Sequence, residues 1–349
     1  MRAARMNVLI VGDYPPPYGG VSVQVSVLQQ RLAGMAGIGC AVLDIGEGRR
    51  RKRAGCLPSR NVIEFCWNLG RHAARGYCVH LHTNGANVKS WLLTLVCGIA
   101  GVLNRGRTVV SLGSGSAVDY VRSSKGVKRA LMRVALGLCA GVICRNEPTQ
   151  RAIRDLGISP DKLVVLAGFY GIAPEEVAAV PPRVARFLEQ RTPVISAIAS
   201  AGPEYGISLV IEAAAKLRAD YPDLGLVLIG AAGPADPEDF VYVTGELPRN
   251  AALGILQKAD VFVRPTYFDG DASSVREALA LGVPVVASDT DFRPDRVILF
   301  RRGDADDLAE KIVSVLGART RTRAAASDSG SLEALQGIYE AIGQKGMWT

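Results

Sequence analysis

Two acidic side chains in the second half of the chain stand at a spacing that suits the binding of a sugar nucleotide. Asp269 and Glu277 are separated by seven residues within the stretch ADVFVRPTYFDGDASSVREALALGVPVVASD, which runs from Ala259 to Asp289. This stretch predicts a strand that ends at Arg264, a glycine-containing loop and a helix that begins near Ser273. Because carboxylates accept hydrogen bonds from paired hydroxyls, the two side chains could bind a hexose and a ribose on either side of a pyrophosphate.

The predicted helix start could bind the pyrophosphate itself. The first N–H groups of a helix have no partner within it, and they lie at the positive end of the helix dipole. A plainer interpretation is also open, because Ser274-Val275-Arg276-Glu277 has the pattern of a capping box, in which Glu277 would bond back to the Ser274 N–H. The surrounding sequence favours ligand binding over the cap.

Other residues that could do chemistry are few. The seven cysteines are odd in number and form no C-x-x-C pair, so neither a disulfide framework nor a zinc site is predicted, and buried thiols fit a reducing cytoplasm. Gly19-Gly20 follows the first predicted strand without a G-x-G-x-x-G pattern, which argues against a dinucleotide oxidoreductase. His80 and His82 alternate with apolar residues at a strand end, where a structural role and a role toward substrate are both open.

Strand-like runs of Val, Ile and Leu alternate with longer helical patterns along the chain, which is typical of a parallel α/β architecture. Four prolines interrupt the segment 173–193, which we take as the boundary between two sets of elements. We therefore predict two Rossmann-like, doubly wound parallel-sheet domains that face each other across a cleft, since such sheets bind ligands beyond the carboxyl ends of their strands. The predicted strands are Asn7–Gly12, Ala41–Ile45, Cys78–His82, Thr108–Leu112, Gly141–Cys144, Leu163–Ala167, Pro193–Ile198, Gly225–Ile229, Val241–Thr244, Val261–Arg264 and Val283–Ala287. The predicted helices are Val21–Leu32, Asn61–Ala74, Asn87–Val102, Val118–Leu138, 207–220, 249–258, 273–281 and 305–316.

Composition is that of a globular protein, with 48% apolar and 21% charged residues. The net charge of +8 is unevenly distributed, because residues 1–190 carry 25 Lys and Arg against 11 Asp and Glu, whereas residues 191–349 carry 16 against 22. An anionic partner is therefore expected at the first half. The longest apolar stretch, Trp91 to Leu103, is about half a bilayer span, and the apolar run Val8–Val11 is too short for a signal peptide. We expect a cytoplasmic protein.

Two basic clusters indicate where the anionic partner would bind. The run Arg49–Arg53 is predicted on a loop, where it could be no more than a solvated surface. The second cluster lies on the predicted helix Val118–Leu138, with a basic face beside an apolar face. This pattern favours docking on the anionic inner face of a membrane, with a solvated face as the alternative. Aromatic residues make up 6% of the chain and none lies among these cations, so no nucleic acid partner is expected. The second cluster consists of Arg122, Lys125, Lys128, Arg129 and Arg133.

From Asp269 onward the sequence resembles the family-four retaining glycosyltransferases of GT-B fold, the glycosyl transferases group 1. Their signature is an acid, seven residues, and then Glu in the context E-A-(apolar)-A-x-G-x-P-V-(apolar)-A, which here reads EALALGVPVVA from Glu277. Nearly the whole chain shares the resemblance. The segment PPPYGGV (15–21) is similar to the family's N-terminal glycine loop, His80 and His82 to its third-strand histidines, and Gly245-Glu246-Leu247 to its nucleobase-binding position.

The resemblance implies a role for each matching residue. Glu277 would bind the ribose hydroxyls, Asp269 would bind the donor sugar, and His82 would face the acceptor. The other donor-binding residues would be Gly19, Gly20, Gly245, Glu246, Leu247, Gly270, Asp271, Ala272, Ser273, Ser274 and Val275. The implied domains are an acceptor-binding domain (1–180), a linker (181–192), a nucleotide-sugar-binding domain (193–328) and a final helix (329–349) that packs back on the first domain.

The chain departs from the family's pattern at the position of two cations. The family has an Arg and a Lys after the first strand of the second domain, where they neutralise the leaving diphosphate, but residues 197–206 read AIASAGPEYG. In addition, the fourth predicted strand ends at Gly113 instead of a His, and Asp269 replaces the usual Glu. Missing cations would weaken stabilisation of the transition state. We hypothesise that Arg264, which flanks the donor loop, takes over their role.

These features predict transfer of a hexosyl unit from an NDP-sugar to a hydroxyl acceptor. The resemblance implies retention of configuration, no metal ion, and no cofactor besides the NDP-sugar co-substrate. The basic first half suits a glycan or lipid-linked acceptor, such as a surface polysaccharide precursor, at the inner face of the membrane. Because the Arg and Lys are missing, a catalytically degenerate nucleotide-sugar-binding protein of the same fold is the alternative. A sugar-nucleotide epimerase would need acid–base groups, for which His82 and Asp119 are the candidates.

Overall fold

The computed structural model describes residues 6–50, 55–318 and 330–345. These residues form two compact units. The first comprises the described residues up to Tyr170 together with the last helix, and the second runs from Gly171 to the end of the preceding helix. Each unit is built on its own parallel sheet, so the predicted α/β fold with two Rossmann-like sheets is confirmed.

The first unit contains a seven-stranded sheet with the strand order β3-β2-β1-β4-β5-β6-β7. Its strands are β1 (Met6–Gly12), β2 (Ile38–Asp44), β3 (Cys56–Leu57), β4 (Cys78–Thr83), β5 (Thr108–Leu112), β6 (Gly141–Cys144) and β7 (Leu163–Val165). Its helices up to Tyr170 are α1 (Gly20–Ala33), α2 (Val62–Ala74), α3 (Val88–Val102), α4 (Ser116–Ser123), α5 (Gly126–Gly137) and α6 (Glu147–Asp155).

The second unit contains a six-stranded sheet with the order β10-β9-β8-β11-β12-β13. Its strands are β8 (Val194–Ile198), β9 (Gly225–Ile229), β10 (Val241–Val243), β11 (Val261–Arg264), β12 (Val285–Ser288) and β13 (Ile298–Phe300). Its helices are α7 (Pro182–Glu189), α8 (Ile207–Leu217), α9 (Arg249–Lys258), α10 (Ser273–Ala280) and α11 (Ala305–Gly317). The last helix, α12 (Gly330–Lys345), belongs to the first unit.

Helices cover both faces of each sheet. The central strands are therefore buried on both sides, and their sequences are runs of Val, Ile and Leu. In the first unit, α2, α3, α5 and α6 share a core with one face of the sheet, and α1 and α12 share a core with the other. Three of these helices begin after an asparagine whose side chain accepts a backbone N–H of the first turn, namely Asn61, Asn87 and Asn146.

The structure differs from the local predictions at two edge strands and at one helix. The two edge strands β3 and β13 were not predicted, since they are only two and three residues long and carry no periodic pattern. The prediction of one helix over 118–138 is wrong, because Ser124 is extended and Gly126, with φ +53°, starts a new helix. The segment 181–192 contains α7, and its role as a linker stays a prediction. Within the described ranges, no helix is long and apolar enough to cross a bilayer.

Candidate functional site

The carboxyl ends of β8 and β11 meet where the strand order of the second sheet reverses, which is where doubly wound sheets bind ligands. The loops that follow these two strands contact each other. The Tyr267 N–H donates to the Glu204 carbonyl oxygen at 2.8 Å. Gly206 has φ +65°, and a Cβ there would clash with the Pro265 carbonyl oxygen. Only glycine therefore allows this close approach of the two loops.

Asp269 lies at the centre of this site and is fully engaged by protein donors. Its Oδ2 accepts from Arg264 Nε at 3.0 Å, from Arg293 Nη1 at 2.6 Å and from Thr266 Oγ1 at 3.2 Å, while Oδ1 accepts the Gly270 N–H at 3.0 Å. Burial opposes ionisation of this carboxyl, but the two guanidinium groups outweigh it and lower its pKa to about 2. Asp269 is therefore a carboxylate that holds two arginines.

Arg293 was not predicted as a site residue. Its side chain is only 4% exposed, and its nitrogens donate to Asp269, to the Ser288 carbonyl oxygen and hydroxyl (both 2.9 Å) and to Thr266 Oγ1 (3.1 Å). This guanidinium is thus almost saturated by protein acceptors. Arg293 lies 24 residues after Asp269 in a loop without regular structure, and no spacing rule connects the two positions.

Arg264, the predicted substitute for the missing cations, is anchored differently. Only its Nε is bonded to Asp269, and among residues 6–50, 55–318 and 330–345 no acceptor is bonded to its two terminal nitrogens. Its guanidinium carbon lies 5.9 Å from the centre of the Tyr205 ring, within cation–π range. Tyr205 belongs to the loop after β8, so Arg264 brings a positive charge next to the segment 197–206 that carries none of its own.

Glu277 lies on the second turn of α10 and is buried. Its Oε1 accepts from Arg249 Nε at 2.6 Å, and Arg249 Nη1 lies 3.4 Å from Glu176. Burial raises the pKa of Glu277, while Arg249 opposes that rise. The alternative capping box is not formed, because Ala272 is the N-cap of α10 and makes no side-chain cap bond. Glu277 therefore points toward the start of α9 rather than back to Ser274.

The loop between β11 and α10 is strained. Asp271 has φ +130°, which is rare for any residue but glycine, and its buried carboxylate accepts from Arg276 Nε at 2.7 and 2.9 Å. At the start of α10 the Val275 N–H is bonded to the Ala272 carbonyl oxygen at 3.1 Å. Phosphate binding by Ser273 and Ser274 stays a prediction.

The predicted nucleobase segment leads directly to α9. Gly245 has φ +72°, Glu246 is exposed, and Leu247 lies two residues before Arg249, the first residue of α9. Because Arg249 contacts Glu277, the structure brings this segment close to the residue that is predicted to bind the ribose. Sequence reasoning missed Arg249, which is 28 residues before Glu277.

The two histidines of the first unit differ in their surroundings. His80 Nδ1 lies 2.5 Å from the Tyr339 hydroxyl of α12, and its Nε2 lies 2.8 Å from Ser111 Oγ. Burial lowers its pKa to about 3. His80 therefore attaches α12 to the sheet. Of the two roles that the sequence left open for it, this is the structural one. His82 is buried, burial and its neighbour His80 lower its pKa, and neither of its ring nitrogens has a hydrogen-bond partner in the described part of the chain.

The remaining predicted residues of the first unit lie on its surface. Gly20 is the first residue of α1, and the Gly19 N–H donates to Ser22 Oγ at 2.9 Å. The predicted basic cluster is divided between α4 and α5. Arg129 donates to the Asp155 carbonyl oxygen. The other four cations are exposed, namely Arg122, Lys125, Lys128 and Arg133. Of the run Arg49–Arg53, only Arg49 and Arg50 lie within the described residues. No group of three or more metal-binding side chains is found in the described ranges.

Asp269→Asn is expected to lower the free energy of unfolding by about 3–5 kcal/mol at neutral pH, because two buried guanidinium groups lose their carboxylate. With a pKa of about 2 in the folded protein and 3.8 as the ordinary value, ionised Asp269 contributes stability above about pH 4, which is lost as the pH falls toward 2. The difference between wild type and variant, measured by urea unfolding, should therefore shrink over this range. A pH-independent difference would contradict this. Asp306→Asn, which alters an exposed ion pair with Lys216, is the control and should change little.

Comparison with known proteins finds a family match in the second unit. Residues 183–330 match the family model of Glycosyl transferases group 1, a segment that begins at α7 and includes the loop from β11 to α10. The chain is also 30% identical over 213 residues to TuaC of Bacillus subtilis (strain 168), named as a teichuronic acid biosynthesis glycosyltransferase. The match covers 58% of this chain and 54% of TuaC, so it spans about half the length of that relative.

Solved structures share the fold of the whole chain. The complex of Anabaena HepE with UDP and glucose has a TM-score of 0.64 at 15% identity, with 97% of this chain and 98% of that chain covered. UDP-GlcNAc 2-epimerase from Neisseria meningitidis bound to UDP-GlcNAc has a TM-score of 0.60 at 15% identity, with 96% and 100% covered. These likenesses show the GT-B fold. Because an epimerase shares this fold, the fold alone does not decide the reaction.

Proposed function

We propose that the protein transfers a hexosyl unit from a nucleotide-sugar donor to a hydroxyl acceptor, with retention of configuration and without a metal ion. The observation that carries this proposal is the position of Arg264, whose guanidinium carbon lies 5.9 Å from the centre of the Tyr205 ring at the junction of β8 and β11. The group 1 family match covers this same segment. In such a reaction the protein acts mainly by positioning the substrates and by stabilising the leaving diphosphate.

Arg264 would contact the diphosphate. Its Nε is fixed by Asp269, and the flat guanidinium presents two further nitrogens, which suits bidentate binding of phosphate oxygens. The charges in this cluster are two arginines against one aspartate, so an excess positive charge stays available to an anion. This arrangement supplies the cation that the sequence 197–206 lacks.

Asp269 would orient Arg264 rather than bind the donor sugar directly. Its carboxylate already accepts four hydrogen bonds, about the number of lone-pair sites on a carboxylate. Arg293 acts behind it, since it fixes Asp269 from the side of β12. The backbone of residues 270–272 would bind the hexose.

Glu277 would bind the ribose hydroxyls. Arg249 holds Oε1, while Oε2 has no bonded partner in the part of the chain that the structure describes. A carboxylate with one oxygen fixed and the other open can accept a hydroxyl without losing much rotational freedom. The segment Gly245–Leu247, which leads to Arg249, would meet the nucleobase.

The acceptor would be an anionic or lipid-linked glycan at the cytoplasmic face of the membrane. The basic character of residues 1–190 supports this, as does the name of the B. subtilis relative, which refers to teichuronic acid biosynthesis. Phosphate binding by Gly19 and Gly20, at the start of α1, stays a prediction.

A thermal-shift screen tests the donor site first. UDP, GDP, dTDP and their common sugar conjugates are added to wild-type protein and to Glu277→Ala. We expect one nucleotide to raise the Tm by several degrees, and the variant to lose that shift. Hydrolysis or transfer of the conjugate then tests turnover. Binding without turnover would support the catalytically degenerate alternative, and no shift for any nucleotide would contradict the proposal.

A further inference from the structure

Large apolar side chains are exposed on one side of the first unit. Seventeen such residues are exposed in the described part of the chain, and ten of them lie on or directly after α2, α3 and α5. We name this region the α2–α3–α5 surface. Its apolar residues are Val62, Ile63, Trp67, Val88, Leu92, Ile99, Val102, Leu103, Val127 and Val134.

The three helices form one continuous layer. They cover the same face of the sheet, where their inward residues Phe65, Trp91 and Met132 belong to one core. The central helix, α3, packs against both α2 and α5. The outward faces of the three helices therefore adjoin, and their exposed side chains form a single surface.

The helix α2 is apolar on its outward side as well as on its inward side. Phe65 and Leu69 point into the core, and Ile63 and Trp67, one turn apart, point outward with 82% and 67% of their surface exposed. An ordinary surface helix has a polar outer face. A helix that is apolar on both sides buries one side in its own unit and the other against something else.

The charges of the surface favour an anionic partner. The sequences of α3 and α5 contain no Asp or Glu, and the only carboxylate of α2, Glu64, is paired with Arg60 at 2.8 Å. Exposed cations lie among and around the apolar residues, at Arg71, Arg75, Lys89, Arg105, Arg122, Lys125, Lys128 and Arg133.

We propose that the α2–α3–α5 surface docks on an anionic lipid bilayer, with Ile63 and Trp67 entering the boundary between headgroups and acyl chains. Apolar residues that insert and cations that surround them are the features of interfacial helices, and tryptophan prefers this depth. A second copy of the chain fits less well, because a two-fold interface would bring the same cations against each other. The docking accords with the proposed lipid-linked acceptor but requires neither nucleotide nor turnover.

Vesicle flotation tests the docking with the full chain and without nucleotide. Vesicles contain phosphatidylcholine alone or with phosphatidylglycerol. We expect binding to the anionic vesicles, weakened at least about tenfold in Ile63→Ser/Trp67→Ser. The control variant, Leu299→Ser/Val313→Ser, removes two exposed apolar side chains from the second unit and should bind like wild type. Lys128→Glu/Arg133→Glu should also weaken binding and reduce its dependence on salt.

Insertion is measured separately from electrostatic attachment. In a Trp348→Phe background, the emission of Trp67 should be quenched by lipids brominated on their acyl chains, whereas the buried Trp91 should not respond. Equal vesicle binding by wild type and Ile63→Ser/Trp67→Ser would overturn the proposal. So would a dimer in light scattering that this double variant abolishes. Donor turnover with a soluble acceptor should be the same in Ile63→Ser/Trp67→Ser as in wild type. If wild type shows no turnover, that result counts against the proposed function and not against the docking.

Discussion

Arg264→Met is expected to lower kcat by about 100- to 1,000-fold, the loss that follows removal of one preorganised donor at a developing anion. The leaving diphosphate gains charge in the transition state, and Arg264 is the cation of the β8–β11 junction whose terminal nitrogens are not bonded to another group of the described chain. Methionine keeps an unbranched stem and removes the guanidinium group with its charge and its donors. Steady-state transfer at saturating donor measures the effect.

The control for this experiment is Arg301→Met, which removes an arginine from the exposed surface of the same unit. We expect it to leave kcat unchanged. Full kcat in Arg264→Met, with normal folding, would show that the diphosphate is stabilised by another group.

Glu277→Ala is expected to weaken nucleotide binding by about 10- to 100-fold, since hydrogen bonds to a charged group contribute about 1.5–3 kcal/mol. The nucleoside and the nucleoside diphosphate should weaken by the same factor, because the lost bonds are those to the ribose. Isothermal titration with both ligands measures this.

Arg249→Met separates binding from orientation at the same carboxylate. It leaves Glu277 in place without its 2.6 Å ion pair, so we expect a smaller loss of affinity. The double variant Arg249→Met/Glu277→Ala should bind no more weakly than Glu277→Ala alone, since the two residues act through one contact. Unchanged nucleoside binding in Glu277→Ala would refute the ribose assignment.

The sequence predicted the central strands well because their burial on both faces requires uninterrupted runs of Val, Ile and Leu. It also located the start of α10 within one residue, because Pro265 and Gly270 separate β11 from the helix. The break between α4 and α5 was missed, since Ser124 and Lys125 interrupt neither the apolar period nor the basic face. Edge strands as short as β3 have too few residues to show a period.

The contacts within the site could not be predicted from spacing. Arg293 bonds to Asp269, and Arg249 bonds to Glu277. Loops separate the members of each pair along the chain, and the conformation of these loops depends on the packing of neighbouring strands. The sequence identified both acids through their spacing and then through a resemblance, but it did not show that each is bonded to arginine. It likewise left two roles open for His80, and the choice depended on Tyr339, 259 residues away on α12.

The two units thus present different chemistry to different partners. The second combines an excess cation with an oriented carboxylate, which suits a nucleotide diphosphate. The first presents an apolar and basic layer, which suits the surface where a lipid-linked acceptor would be found.

The most direct test of the account is the affinity of wild type and Arg264→Met for a nucleoside and for its diphosphate, measured by titration with the base chosen by thermal shift. We expect wild type to bind the diphosphate at least about tenfold more tightly than the nucleoside. We expect Arg264→Met to lose this preference while its affinity for the nucleoside stays the same. A preference for the diphosphate that persists in Arg264→Met would contradict it.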